Sequence, residues 1–175
     1  LFSEIELLDK NGVIKLLKIN ADNGFIVCVY HPETIENKYF VLQFQNILNV
    51  LKEQKQTIII IFPNVDVGYS SIVNEINLFK ETRPETVILK NLQKNIFYSL
   101  MKHCDFMIGN SSSGIWEGPS FNCAYINVGE RQGGRKKGNN VLSVSGYKQS
   151  DIHRAINSAT SKKFKERIVK SENPY

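Results

Sequence analysis

The chain has 175 residues, 42% of them hydrophobic and 22% charged, which suits one domain with a sizeable core. Its net charge of +5 arises mainly in "RQGGRKK" and "KKFKERIVK", and neither stretch is interleaved with the stacking aromatics of a nucleic-acid surface. The longest apolar run, "TIIIIF", is too short to cross a bilayer, and three cysteines with no CxxC argue against a disulfide scaffold or a zinc site and for small buried thiols in a reducing cytoplasm.

Residues 1–22 are weakly patterned and read as a linker or the start of a domain whose main body runs over 23–175. They lack the basic and apolar regions of a signal peptide and an initiator Met, as expected of a fragment or a mature form. "GFIVCVY" (24–30) is the first apolar, β-branched run, and "QTIIIIFP" (56–63) is the second. Their near-continuous hydrophobicity is that of parallel strands buried on both faces. "TVILK" (86–90), "CDFMIGN" (104–110), "CAYINVG" (123–129) and "NNVLSVS" (139–145) read as four more.

Helical spacing fills the gaps. Over 36–54, Phe40, Phe44, Ile47, Leu48 and Leu51 fall on one face. Residues 68–81 and 95–103 behave alike, and Asp151 is placed to start a helix over 151–163 that closes on lysines. Six strands alternating with about five helices predict an α/β fold, a doubly wound, Rossmann-like parallel sheet. Ligands of such sheets sit beyond the carboxyl ends of the strands. Those ends read "YHPET", "FPNVD", "LKNL", "GNSSSG" and "NVGERQGGR".

The serine turn is the first candidate site. Ser111, Ser112 and Ser113 between a strand and a helix offer hydroxyls and backbone N–H groups to an anion. A single helix cap needs one serine, so three followed by Gly114 favour phosphate. Glu117, one turn further on, has two readings of equal weight: a ribose diol partner, or a capping-box carboxylate reaching back to the helix start. Arg131 and Arg135 lie in a loop with Gly133, Gly134 and Gly138, where guanidinium forks match phosphate oxygens. The plainer reading is a mobile surface loop, and it weighs more on Arg135, Lys136 and Lys137. His31 at a strand end can donate to phosphate or move a proton, against an exposed turn histidine. Asn64 and Asp66 sit at another strand end, where Asx-turn chemistry is the alternative. His103 and His153 read as ordinary helix residues. The chain has no P-loop, no GxGxxG, no GxSxG elbow and no metal-ligand spacing, so neither a metal nor a cofactor is expected.

"HPET", "FPNVDVG", "IGNSSSGIWEGPSF" and "INVGERQGGRKKGNNV", in this order, resemble the C-terminal domain of UDP-N-acetylglucosamine 2-epimerases, above all the hydrolysing branch. The resemblance covers about residues 24–175. It implies the second half of a GT-B fold, the half that holds UDP. It makes Ser111 and Ser112 pyrophosphate contacts and Glu117 the ribose carboxylate. It sets Arg131 near the phosphates, His31 by the pyrophosphate and sugar as the catalytic candidate, and Asn64 on the sugar side. Asn91 and Leu92 would meet the uracil through their backbone. The family reaction is proposed as elimination of UDP followed by hydration, and its acid/base carboxylates belong to the first half. The resemblance therefore implies a UDP-sugar substrate, an N-terminal partner domain of the same enzyme, association into oligomers, and no turnover by this polypeptide alone. Two alternatives stay open: the donor-binding half of a GT-B glycosyltransferase, and a stand-alone nucleotide-binding module.

Overall fold

The computed structural model describes residues 5–33 and 39–175. Thr34 of the "HPET" motif and the first residues of the helix expected over 36–54 lie outside them. Six strands form a single sheet: β1 (Phe25–Val29), β2 (Thr57–Ile61), β3 (Val87–Leu89), β4 (Met107–Gly109), β5 (Tyr125–Val128) and β6 (Val141–Val144). All neighbours pair in parallel, in the order β3-β2-β1-β4-β5-β6. This is the doubly wound sheet the alternation predicts.

Both faces are buried, which explains the continuous apolar runs. Along β1, Ile26 and Cys28 join one core while Phe25, Val27 and Val29 join the other, because successive side chains of a strand point to opposite faces. The first core is closed by α2 (Phe40–Lys52), α3 (Tyr69–Thr82), α6 (Gln149–Thr160) and α7 (Lys162–Val169). The second is closed by α1 (Lys10–Leu17), α4 (Lys94–His103) and α5 (Ser113–Trp116). A 3₁₀ turn at Gly118–Phe121 follows α5. Phe44, Ile47, Leu48 and Leu51 are buried on the inner face of α2, as their spacing predicts, and Phe40 packs against the same core.

Two expectations need correction. The linker read over residues 1–22 contains α1, whose start is capped by Asp9 accepting from Gly12 N–H at 2.6 Å. Val13 is fully buried, and Ile5, Leu7 and Leu8 pack on the same core, so this segment is part of the domain. Its apolar residues Val13, Ile14, Leu16 and Leu17 fall in adjacent pairs that spread around a short helix containing Gly12, and Leu16 is exposed, which left its helical pattern weak. The helix expected over 151–163 is two helices, interrupted at Ser161, whose backbone is extended and whose hydroxyl accepts from Phe164 N–H. Asp151 lies inside the first turn of α6 and pairs with Arg154 at 2.6 Å.

β1 and β4 lie side by side at the centre of the sheet, although α2, β2, α3, β3 and α4 separate them in the chain. The chain winds outward in both directions from this pair, so a crevice opens at the carboxyl ends of these two strands. Gly109 ends β4 here with φ at 141°, and a Cβ in its place would lie 1.9 Å from the Val29 carbonyl oxygen. Only glycine permits that approach.

Candidate functional site

A cavity of about 760 Å³ lies over this crevice. Loops following five strands wall it: His31 after β1, Asn64 after β2, Asn91 and Leu92 after β3, Ser111–Ser113 after β4, and Arg131 after β5. These eight residues, all singled out from sequence, are thus brought together. Lys90 and Lys94 add two cations to the wall, with the Lys90 ammonium 4.2 Å above the Phe62 ring. No carboxylate stands among the described residues that line the cavity. Such a site suits an anion larger than a single phosphate.

His31 is held in one protonation state. Its ring is buried, and its Nδ1 accepts the Asn64 N–H at 3.2 Å. A neutral imidazole that accepts at Nδ1 carries its proton on Nε2. Burial and then the Arg131 guanidinium push the His31 pKa from 6.5 down to about 4, with Asp66 opposing. At neutral pH His31 is therefore an uncharged hydrogen-bond donor.

Asn110 fixes that histidine's backbone. Its side chain accepts the His31 N–H at 2.7 Å and donates to the His31 carbonyl at 2.9 Å, bridging β1 and β4 just where their own pairing ends. Its main-chain carbonyl accepts from Arg131 Nη1 at 3.2 Å and Gln132 Nε2 at 2.8 Å. One fully buried asparagine thus joins the histidine, serine and arginine loops.

Within the serine turn, the Ser111 and Ser113 hydroxyls are 2.7 Å apart. Helix α5 is a single turn, so its dipole adds little, and the local groups of the turn must do the work of binding. Gly114 answers to packing, since a Cβ there would lie 2.4 Å from the Tyr125 ring.

Glu117 stands just past α5, outside the cavity wall. Its Oε2 is buried without a hydrogen-bond partner. Desolvation raises its pKa, while its own backbone N–H and the nearby charge of Lys94 lower it. A half-buried carboxylate with a spare oxygen is suited to accept hydroxyl hydrogens from a ligand. Arg135 stacks on Trp116 at 4.6 Å and takes no place in the wall.

Sequence reasoning missed Lys90, Lys94, Asn110, Gln132 and Tyr125. Asn110 was quoted in the serine motif but given no role, and only the pairing of β1 with β4 reveals one. Tyr125 and Gln132 are buried beneath the turn, among residues whose types report burial rather than binding. Among the described residues no group of three or more His, Cys, Asp or Glu is placed to hold a metal ion, and no helix is long and apolar enough to cross a membrane.

A family model described as UDP-N-acetylglucosamine 2-epimerase matches residues 4–175. Polysialic acid biosynthesis protein P7 of Escherichia coli is 34% identical over 86% of this chain and 39% of its own length. The hydrolysing UDP-N,N'-diacetylbacillosamine 2-epimerase of Legionella pneumophila is 34% identical over 71% of this chain and 33% of its own. The chain thus spans about a third to two-fifths of these curated relatives. The S. aureus MnaA–UDP co-structure superposes with a TM-score of 0.68 at 14% identity, over 96% of this chain and 46% of that one. The Neisseria meningitidis UDP-GlcNAc 2-epimerase bound to UDP-GlcNAc gives 0.64 at 15% identity, over 95% and 44%. These likenesses show the fold, that of one half of a GT-B enzyme.

Proposed function

The chain belongs to the UDP-N-acetylglucosamine 2-epimerase family, and we propose that it is the half that grips UDP in a hydrolysing 2-epimerase. The substrate is a UDP-linked N-acetylated sugar, and the protein works in the cytoplasm. The observation that carries this reading is the cavity at the β1/β4 crevice. It gathers Arg131, two lysines, the serine turn and the His31 donor, and Glu117, near enough to Lys94 of that wall to feel its charge, keeps one unpartnered oxygen.

In this reading Ser111, Ser112, Ser113 and Arg131 hold the diphosphate. His31 donates from Nε2 to a phosphate or sugar oxygen, and Asn64 stands on the sugar side. Asn91 and Leu92 meet the uracil, and Glu117 accepts from the ribose hydroxyls. Negative charge grows on the β-phosphate as UDP departs, and preorganised cations and donors stabilise that charge best where it develops. His31 is a donor here, because a ring with its pKa near 4 and its Nδ1 occupied makes a poor proton acceptor at C2. The carboxylates that move protons belong to a second domain facing this cavity. This polypeptide alone is therefore expected to bind without turnover.

Calorimetric titration with UDP, UMP and uridine tests the reading. The expected affinity order is UDP, then UMP, then uridine. Changing Arg131 to Ala is expected to weaken UDP about tenfold, from the loss of a charge-assisted phosphate contact, and to leave uridine little changed. Equal affinity for UDP and uridine would overturn it.

A further inference from the structure

Three successive carbonyl oxygens at the end of β4 each meet a donor from β5 or the loop that follows it. The Gly109 and Ser111 carbonyls accept from the Tyr125 hydroxyl at 3.0 and 2.9 Å. The Asn110 carbonyl between them takes Gln132 Nε2 and Arg131 Nη1. In a trans peptide the carbonyl and the following N–H point in opposite directions. The first of the three peptides illustrates the rule: with the Gly109 oxygen on Tyr125, the Asn110 N–H reaches the opposite way to the Val29 carbonyl at 3.1 Å. In the third, the Ser111 oxygen is drawn into the core, so the Ser112 N–H is turned outward, at a residue that lines the cavity.

We infer that Tyr125 is a positioning residue for phosphate binding: its buried hydroxyl turns the Ser111–Ser112 peptide so that the Ser112 N–H faces the anion. The hydroxyl has one hydrogen to share between two carbonyls, and a third oxygen, Asn127 Oδ1, stands 3.5 Å away. The ring is fully buried and is held in register by Gly114, which lacks the Cβ that would strike it. Without that hydroxyl the Ser111 oxygen has no donor in the core. The peptide can then rotate toward water, which would present a carbonyl instead of an N–H to the ligand. An oxygen facing a phosphate repels it, so the effect is specific to phosphate. The inference deepens the proposed function and rests on it for the identity of the anion.

The test is Tyr125→Phe, compared with wild type by titration with UDP, uridine and inorganic pyrophosphate, with the Ser111 and Ser112 amide resonances followed in each. Thermal unfolding is recorded separately so that lost stability is not counted as lost binding. The expected result is an affinity for UDP and pyrophosphate about tenfold lower, the size of one lost hydrogen bond, with uridine affinity unchanged. A UDP affinity equal to wild type, or equal losses for UDP and uridine, overturns the inference. If wild type binds pyrophosphate at the serine amides but no UDP, the functional reading fails, and the pyrophosphate comparison still decides the role of Tyr125. If pyrophosphate leaves the wild-type serine amides unmoved, the role of Tyr125 fails as well. Should the variant not fold, the wild-type Ser112 amide decides: pyrophosphate is expected to shift its resonance and slow its hydrogen exchange, and a Ser112 amide unchanged in both counts against the inference.

Discussion

The buried His31 ring has a consequence for stability. Its pKa lies near 4 in the folded chain and near 6.5 in a solvated one, so between these values the unfolded state takes up a proton that the folded state refuses. Stability therefore falls as pH drops from about 6.5 to about 4 and loses nothing further from this group below that, by about 3 kcal/mol at most. Denaturant unfolding across this range is expected to show a shallower loss for His31→Gln than for wild type, and parallel slopes would contradict the pKa assignment. At this scale the sequence was readable where a polar side chain stood at a strand end, as with His31, Asn64, the serines and Arg131. It was unreadable where the working atom belonged to the backbone. Nothing in "CAYINVG" separates a tyrosine that packs from one that orients a peptide two strands' length away in sequence.

Elements were legible when their apolar positions repeated strongly and faint when their packing was local. The six strands follow from their continuous apolar runs, and α2 to α4 from helical spacing. Helix α1 rests on one fully buried valine and a cap, and the break between α6 and α7 rests on Ser161. Both helices flanking that break bury their own apolar residues, Ile152 and Ile156 in α6, Phe164 and Ile168 in α7. Ser161→Ala removes the cap of α7 and is expected to lower stability by about 1 kcal/mol, read from denaturant unfolding. A change under a few tenths would mean that the following turn does not depend on the cap. Gly114→Ala acts on α5 instead. The added methyl meets the Tyr125 ring at 2.4 Å, and overpacking of this kind is expected to cost about 3 kcal/mol. A variant as stable as wild type would show that the ring has room to move.

At the scale of the molecule, the strand order places the crevice before any side chain is considered. Two strands adjacent in space but distant in sequence, β1 and β4, leave their carboxyl ends open between oppositely directed connections, and five strand-end loops converge there. That much was visible in the alternation of strands and helices, and the family resemblance added the ligand. The position of Glu117 was not visible. It closes the one-turn helix α5 ahead of a 3₁₀ turn and stands outside the wall, with one oxygen unpartnered. In the proposed function UDP lies in this crevice, diphosphate on the serine turn and Arg131, ribose toward Glu117. Amide resonances of this polypeptide titrated with UDP test it most directly. The account expects shifts concentrated at His31, Asn91, Leu92, Ser111–Ser113 and Arg131, and a markedly smaller response at 111–113 when uridine replaces UDP. Shifts centred elsewhere on the surface, with the serine turn unmoved, would contradict it.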